Sequence, residues 1–292
     1  MAFGFQFRNT AVVLLLGLGT ALATAAQPLA LPELAKEATR LAPHRAVYDL
    51  ELGGTRGAST VAAVQGRLVF EFTGSACEGF TQNMRFVMNV SNRDGGATLS
   101  DLRSNTWETP DGAKYKFSFN DFQNQEATDT TTGDAARDGA AGGVAVTIAK
   151  PAATKLSLNP GTLFPVQHTI HLLAAALRGE HMMAADLYDG SDNGQKTFFT
   201  NSVIGPLRPA GSGGDIEPIK NADRLAALRS WPVAIAYYDS GSDKAEGIPA
   251  HEMSFLLYEN GVVRKLGIDY GNLSIKGTLA EIEFYDPAKC PN

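Results

Sequence analysis

Metal-binding and redox side chains are scarce in this sequence, which holds five His and two Cys among 292 residues. There is no CxxC, and no His or Cys stands at metal-ligand spacing from either cysteine, which argues against a zinc staple, and two cysteines are too few for a disulfide-dense architecture. No GxSxG occurs, and no Ser or Cys can be matched with a base, which leaves hydrolase chemistry without a motif. Runs of Lys or Arg are missing too, and the net charge is −6, so nucleic acid is not an expected partner. Beyond Leu22 no apolar stretch reaches the roughly 20 residues of a membrane span.

What is present begins with MAFGFQFRNTAVVLLLGLGTALATAAQPLA, where Arg8 precedes an apolar run from Ala11 to Leu22 that small residues follow. That order of charge, short apolar run and small-x-small sites at 23–25 or 24–26 reads as a cleavable secretory signal over residues 1–26. The expected mature chain, 27–292, is then a single periplasmic or extracellular domain without a transmembrane segment. Its net charge becomes about −7 once Arg8 leaves with the signal. An oxidising compartment gives the two cysteines, Cys77 and Cys290, one available bridge; a reactive thiol or a pair of metal ligands are the alternatives, and the spacing favours the bridge. A loop of about 213 residues would make such a bridge worth at most roughly 5 kcal/mol. It would tie the last strand back to an early one.

The period of the chain is mostly two. RLVFEFTG alternates Leu68, Phe70 and Phe72 against Val69, Glu71 and Thr73; GFTQNMRFVMNV carries Phe80, Met84, Phe86 and Met88; AKYKFSF carries Tyr115, Phe117 and Phe119. These are half-buried strands, and the dipeptides Gly53-Gly54, Asp94-Gly95, Asp111-Gly112 and Asn260-Gly261 close hairpins, the last as a type I′ turn. The small, polar stretch TDTTTGDAARDGAAGG, 128–143, is expected to be an exposed loop. One longer helix is expected over about 163–178, with Thr162 as cap, Pro165 in its first turn and Gly179 as its left-handed stop. Short helices are expected in LPELAKEATRLAP and DRLAALRSW. The fold expected from this pattern is mainly β: one antiparallel sheet curled into a spiral or broken barrel, with the longer helix plugging its opening.

Candidate chemistry is thin. His168 and His171 stand three apart on the expected helix, with His181 nearby, but no further ligand shares their spacing, so they read as polar-face or cap-region histidines and no metal is expected. HEMSF at 251–255 has Phe255 where HExxH needs a second His, and it reads as a strand. DGSDNG at 189–194 lacks the alternation of a calcium loop and reads as a hairpin turn. Glu281 and Glu283 read as a solvated strand face. A hydrolase or metal-dependent enzyme is thus the weaker alternative, with no catalytic residue or cofactor to name. The Met and Phe residues of the strand faces form either a filled core or the wall of a groove for an acyl chain or an apolar peptide.

The segments LAPHRAVYDLEL, GRLVFEFTGSACEGFTQNMRFV, LNPGTLFPVQHT, WPVAIAYYD and YENGVVRKLGIDYGNLSIKGTLAEIEFYDPAKC, taken in order with the two cysteines, resemble the alphaproteobacterial cell envelope integrity protein B (EipB) family. The resemblance runs from about 43 to 290. It implies a periplasmic, non-enzymatic protein with a broken-barrel spiral of antiparallel strands and a Cys77–Cys290 bridge. It also implies a role in envelope integrity, with a tetratricopeptide-repeat protein as partner in some members and a shape similar to lipoprotein carriers. It names no ligand-binding residue.

Overall fold

A computed structural model describes residues 36–57, 59–139, 142–212, 219, 221–240, 247–286 and 288. The expected signal, 1–26, and Cys290 lie outside the described residues. The described residues form fourteen strands: β1 (His44–Thr55), β2 (Val61–Ser75), β3 (Gly79–Asn92), β4 (Ala97–Glu108), β5 (Lys114–Gln123), β6 (Glu126–Arg137), β7 (Val144–Lys150), β8 (Thr154–Leu158), β9 (Met182–Leu187), β10 (Phe198–Ile204), β11 (Ser230–Asp239), β12 (His251–Tyr258), β13 (Val263–Asp269) and β14 (Leu273–Phe284). Between β8 and β9 lies α1 (Pro165–Leu177), and before β11 the single turn α2 (Asp223–Ala226). Of the expected N-terminal helix, residues 36–38 are helical.

All neighbours in the sheet are antiparallel, in the order β8-β7-β6-β5-β4-β3-β2-β1-β14-β13-β12-β11-β10-β9. Every chain-adjacent pair is joined except one, β8 and β9. The first and last strands are joined to each other, His44 facing Phe284 on one side and Phe72 on the other. Backbone pairing therefore already ties the last strand to an early one, and the break in the barrel falls in mid-chain, where α1 is inserted. The strand period explains which face goes inward. His44, Ala46, Tyr48 and Leu50 of β1 align with Phe72, Phe70, Leu68 and Gly66 of β2, which align in turn with Gln82, Met84, Phe86 and Met88 of β3. Each large apolar side chain buried on this face contributes about 1.5–3 kcal/mol.

The expectation of a loop at 128–143 is corrected. Residues Glu126–Arg137 form β6, paired with β5 along its length and with β7 from Thr132 to Arg137. Its side chains are small because large ones face it: a Cβ on Gly133 would lie 2.5 Å from Phe117 Cζ, and Thr131 and Ala135 are buried beside it. The Asn260-Gly261 turn also differs from type I′. Only Gly261 has positive φ, +82°, and the bonds Gly261 N–H to Tyr258 O and Tyr258 N–H to Val262 O make a three-residue loop that ends in a left-handed glycine. That glycine lets Leu41 close on the turn, since a Cβ there would meet Leu41 Cδ2 at 2.6 Å.

Candidate functional site

Helix α1 is the wall around which the site is built. Pro165 starts it with the φ a helix needs, and its end is a hydrogen-bonded left-handed stop: Gly179 N–H donates to Ala176 O, and Glu180 N–H to Ala175 O. Thr162 does not cap it. The first-turn N–H groups of Val166 and Gln167 instead donate to Glu108 Oε2 and Oε1 at 2.7 and 2.9 Å, from the end of β4. Glu108 is fully buried, and burial raises its carboxyl to about 8 against the pull of those two donors and of Arg137. The Gln167 side chain adds a bond to Asp111 O at 2.8 Å. Thus a turn predicted from Asp111-Gly112 and a carboxylate that no local pattern marks hold the helix entrance together.

His168 and His171 are not on a polar face. Both are buried on α1, in a helix whose other inward residues pack on Phe72, Phe80, Trp231, Val233, Ile235 and Leu257. His168 Nε2 lies 3.0 Å from Thr200 Oγ1, and Thr200 donates its own proton to Ala185 O at 2.9 Å. The ring must therefore donate from Nε2, which makes His168 a neutral structural link from α1 to β10 and β9. Burial, with His171 adding to it, lowers its pKa to about 4. The folded state then binds fewer protons than the unfolded one between pH 4 and 6.5, so stability falls as pH drops through that window. His168→Gln, which keeps a donor for Thr200, should reduce that acid-side loss in urea titrations run from pH 4 to 7; an unchanged slope would show that His168 does not cause it. His181 is apart from the pair, exposed, with Nδ1 3.3 Å from Ile204 O. Among the described residues no three His, Cys, Asp or Glu side chains gather as a metal site.

Between α1 and the inner faces of β1–β3 and β11–β13 is a cavity of about 290 Å³. Its walls are Leu68, Phe70, Phe72 and Met84 from the early strands, Ile235, Tyr237, Met253, Phe255 and Leu257 from the late ones, and Val166, Thr169 and Leu172 from α1. Leu41 and the Asn260-Gly261 turn line it as well. The polar groups present are uncharged or tied down. Tyr48 donates to Val263 O at 2.8 Å, and His44, lowered by burial, has Nδ1 2.7 Å from Ala42 O and sits among Phe70, Phe72 and Phe284. No Asp, Glu, Lys or Arg is among the described lining residues. The size is about twice the ~150 Å³ at which a dry cavity accepts benzene.

Of the aromatic and methionine residues expected to face inward, Phe70, Phe72 and Met84 line this space. Phe80 packs with α1, Phe86 and Met88 with β1, β13 and β14, and Phe117 and Phe119 with β7. HEMSF is strand, as expected, and its His251 stacks on Tyr237 with ring centroids 4.3 Å apart. DGSDNG lies in the connection from β9 to β10, with a short helical turn at Asp192–Gly194. Glu281 and Glu283 are exposed on β14. Cys77 follows the end of β2, its Sγ 3.0 Å from Ser75 Oγ.

A family model described as EipB-like matches residues 35–286, which takes in every strand and both helices. The chain belongs to the EipB-like family. Within it, the cell envelope integrity protein EipB of Brucella abortus (strain 2308) is 34% identical over 255 residues, covering 87% of this chain and 88% of its own. A solved EipB-like relative, titled a beta-barrel-like protein of domain of unknown function DUF1849 from Brucella abortus, superposes with a TM-score of 0.77 at 33% identity. That superposition covers 85% of this chain and all of the other. The barrel-like description suits the sheet found here, in which β8 and β9 leave the ring unclosed.

Proposed function

We propose that the mature protein is a periplasmic, non-enzymatic binding protein that supports cell envelope integrity by holding an apolar segment in the cavity against α1. The segment would be part of an acyl chain from a lipid or lipoprotein, or an apolar stretch of peptide. The observation that carries this reading is the wall itself: a partly open space of about 290 Å³ with no charged side chain among its described lining residues. Such a wall favours methylene and aromatic groups and gives no counter-charge to a carboxylate or phosphate, so a ligand's polar end would stay outside. The envelope role rests on the name of the Brucella relative, and that name is not one of an enzyme family. A partner protein, such as a tetratricopeptide-repeat protein, would act together with the ligand-bound form.

The N-terminal sequence supports export, and with it a Cys77–Cys290 bridge. Phe72 of β2 and Phe284 of β14 both face His44, so the segments leading to the two cysteines leave from either side of one strand, about 10 Å apart. Among the described residues no cysteine is free.

Thr169→Trp tests the cavity, because Thr169 is half-buried on the α1 wall and an indole there would occupy the space. Native mass spectrometry of protein taken from the periplasm should show a bound lipid or peptide in the wild type and at least a tenfold lower occupancy in the variant, with its melting temperature nearly unchanged. A deletion strain should become sensitive to detergent and cell-wall antibiotics, and the wild-type gene should restore resistance where the variant does not. A wild type without ligand, or full rescue by Thr169→Trp, would sink the cavity reading. Normal resistance in the deletion strain would sink the envelope role.

A further inference from the structure

The two ends of the sheet differ. At β9 the free edge is already met by the chain: Leu163 N–H donates to Asp186 O at 2.8 Å, Tyr188 N–H donates to Leu163 O at 2.9 Å, and Leu163 bridges Leu187 in parallel. At β8, among the described residues, pairing is with β7 alone. Half of its backbone donors and acceptors therefore point away from the sheet with no strand to receive them.

The side chains of β8 continue the patterns of β7 to that edge. Val144, Val146 and Ile148 are fully buried on the inner face, and their register partners Leu158, Leu156 and Thr154 on the same face are only half-buried. The apolar layer thus stops one strand short of being covered. On the outer face Lys155 and Ser157 are exposed, and exposed Lys150 lies at the end of β7; neither lysine makes an ion pair among the described residues. A short edge strand bearing a lysine is a common guard against random pairing, and it also defines what would pair: a strand that answers the positive charge.

We infer that β8 is a docking edge for an extended segment of a partner protein, of about five residues, with apolar side chains at alternate positions and a carboxylate facing Lys155. The main-chain bonds would supply affinity, the apolar residues would cover Leu156 and Leu158, and the acidic residue would set register. The site is a backbone edge, independent of the cavity, and it stands or fails apart from the ligand proposed there.

The test uses the mature protein and three synthetic peptides: blocked Leu-Glu-Leu-Glu-Leu, the same with Lys for Glu, and the Glu peptide with alternate amides N-methylated. The Glu peptide should bind at or below about 1 mM and slow hydrogen exchange in 154–158. The Lys and N-methylated peptides should bind at least tenfold more weakly. Lys155→Glu, a change at an exposed position, should reverse the preference between Glu and Lys peptides while leaving cavity occupancy unchanged. No binding by any peptide, equal binding by the N-methylated one, or protection appearing away from β8 would overturn the inference.

Discussion

Replacing Glu108 with alanine is expected to lower stability by about 3 kcal/mol, because it strips two first-turn N–H groups of α1 of their acceptors in a place water does not reach. The loss should appear as a lower urea midpoint, with near-normal strand content by circular dichroism. Glu108→Gln should cost less, since one amide oxygen can still accept. The glutamine variant also isolates the proton. With the folded carboxyl raised to about 8 from 4.5, the folded state holds a proton that the unfolded state has released between those values. Stability therefore declines as pH rises from 4.5 to 8, and is independent of this group above 8. That decline should be absent from Glu108→Gln. A wild-type curve that rises across the same window, and flattens in the glutamine variant, would mean that the helix N-terminus and Arg137 outweigh burial and keep the carboxylate ionised.

The second large effect is expected from Cys77→Ser. If Cys77 and Cys290 are bridged, the substitution removes a constraint on a loop of about 213 residues and should cost about 2–5 kcal/mol. Cys290→Ser and reduction of the wild type should give the same loss, and the double variant should be no worse than either single one. Because β1 and β14 are already paired, the reduced protein should keep its fourteen strands; the bridge would fasten a seam that hydrogen bonds have closed. Two titratable thiols in the native oxidised protein, or unequal losses in the two single variants, would rule the bridge out.

How far the sequence discloses this molecule depends on the distance over which each signal acts. Alternation fixes a strand from within, so RLVFEFTG and AKYKFSF are strands on their own evidence, and the Pro165 and Gly179 pair frames α1 within two residues of its expected ends. β6 is invisible to the same test because its inward positions are filled by Thr131, Gly133 and Ala135, small residues chosen by the bulk of Phe117 on the neighbouring strand. Glu108 lies in sequence 58 positions before Val166, whose amide it accepts, so a search for a cap beside the helix finds Thr162 and stops. The histidines mislead for a related reason. Polarity suggests a solvated face, whereas Thr200, on a strand formed after the helix, gives His168 a buried partner. The cavity was legible only as an alternative, since core and groove require the same inward residues and differ in what α1 leaves unfilled.

The seam between β1 and β14 also sets an order of events in time. The hairpins from β1 to β8 pair neighbours in sequence and can form as soon as each strand is available, but His44 reaches Phe284 only after nearly the whole chain has been made. Closing a loop of that length is entropically costly and slow compared with hairpin formation. Until then the outer edge of β1 is an unpaired strand edge beside an apolar face, in the situation that invites pairing with another chain. The stage of greatest aggregation hazard is therefore the interval before the C-terminal strand arrives, and a chain truncated ahead of Leu273 would remain in it permanently.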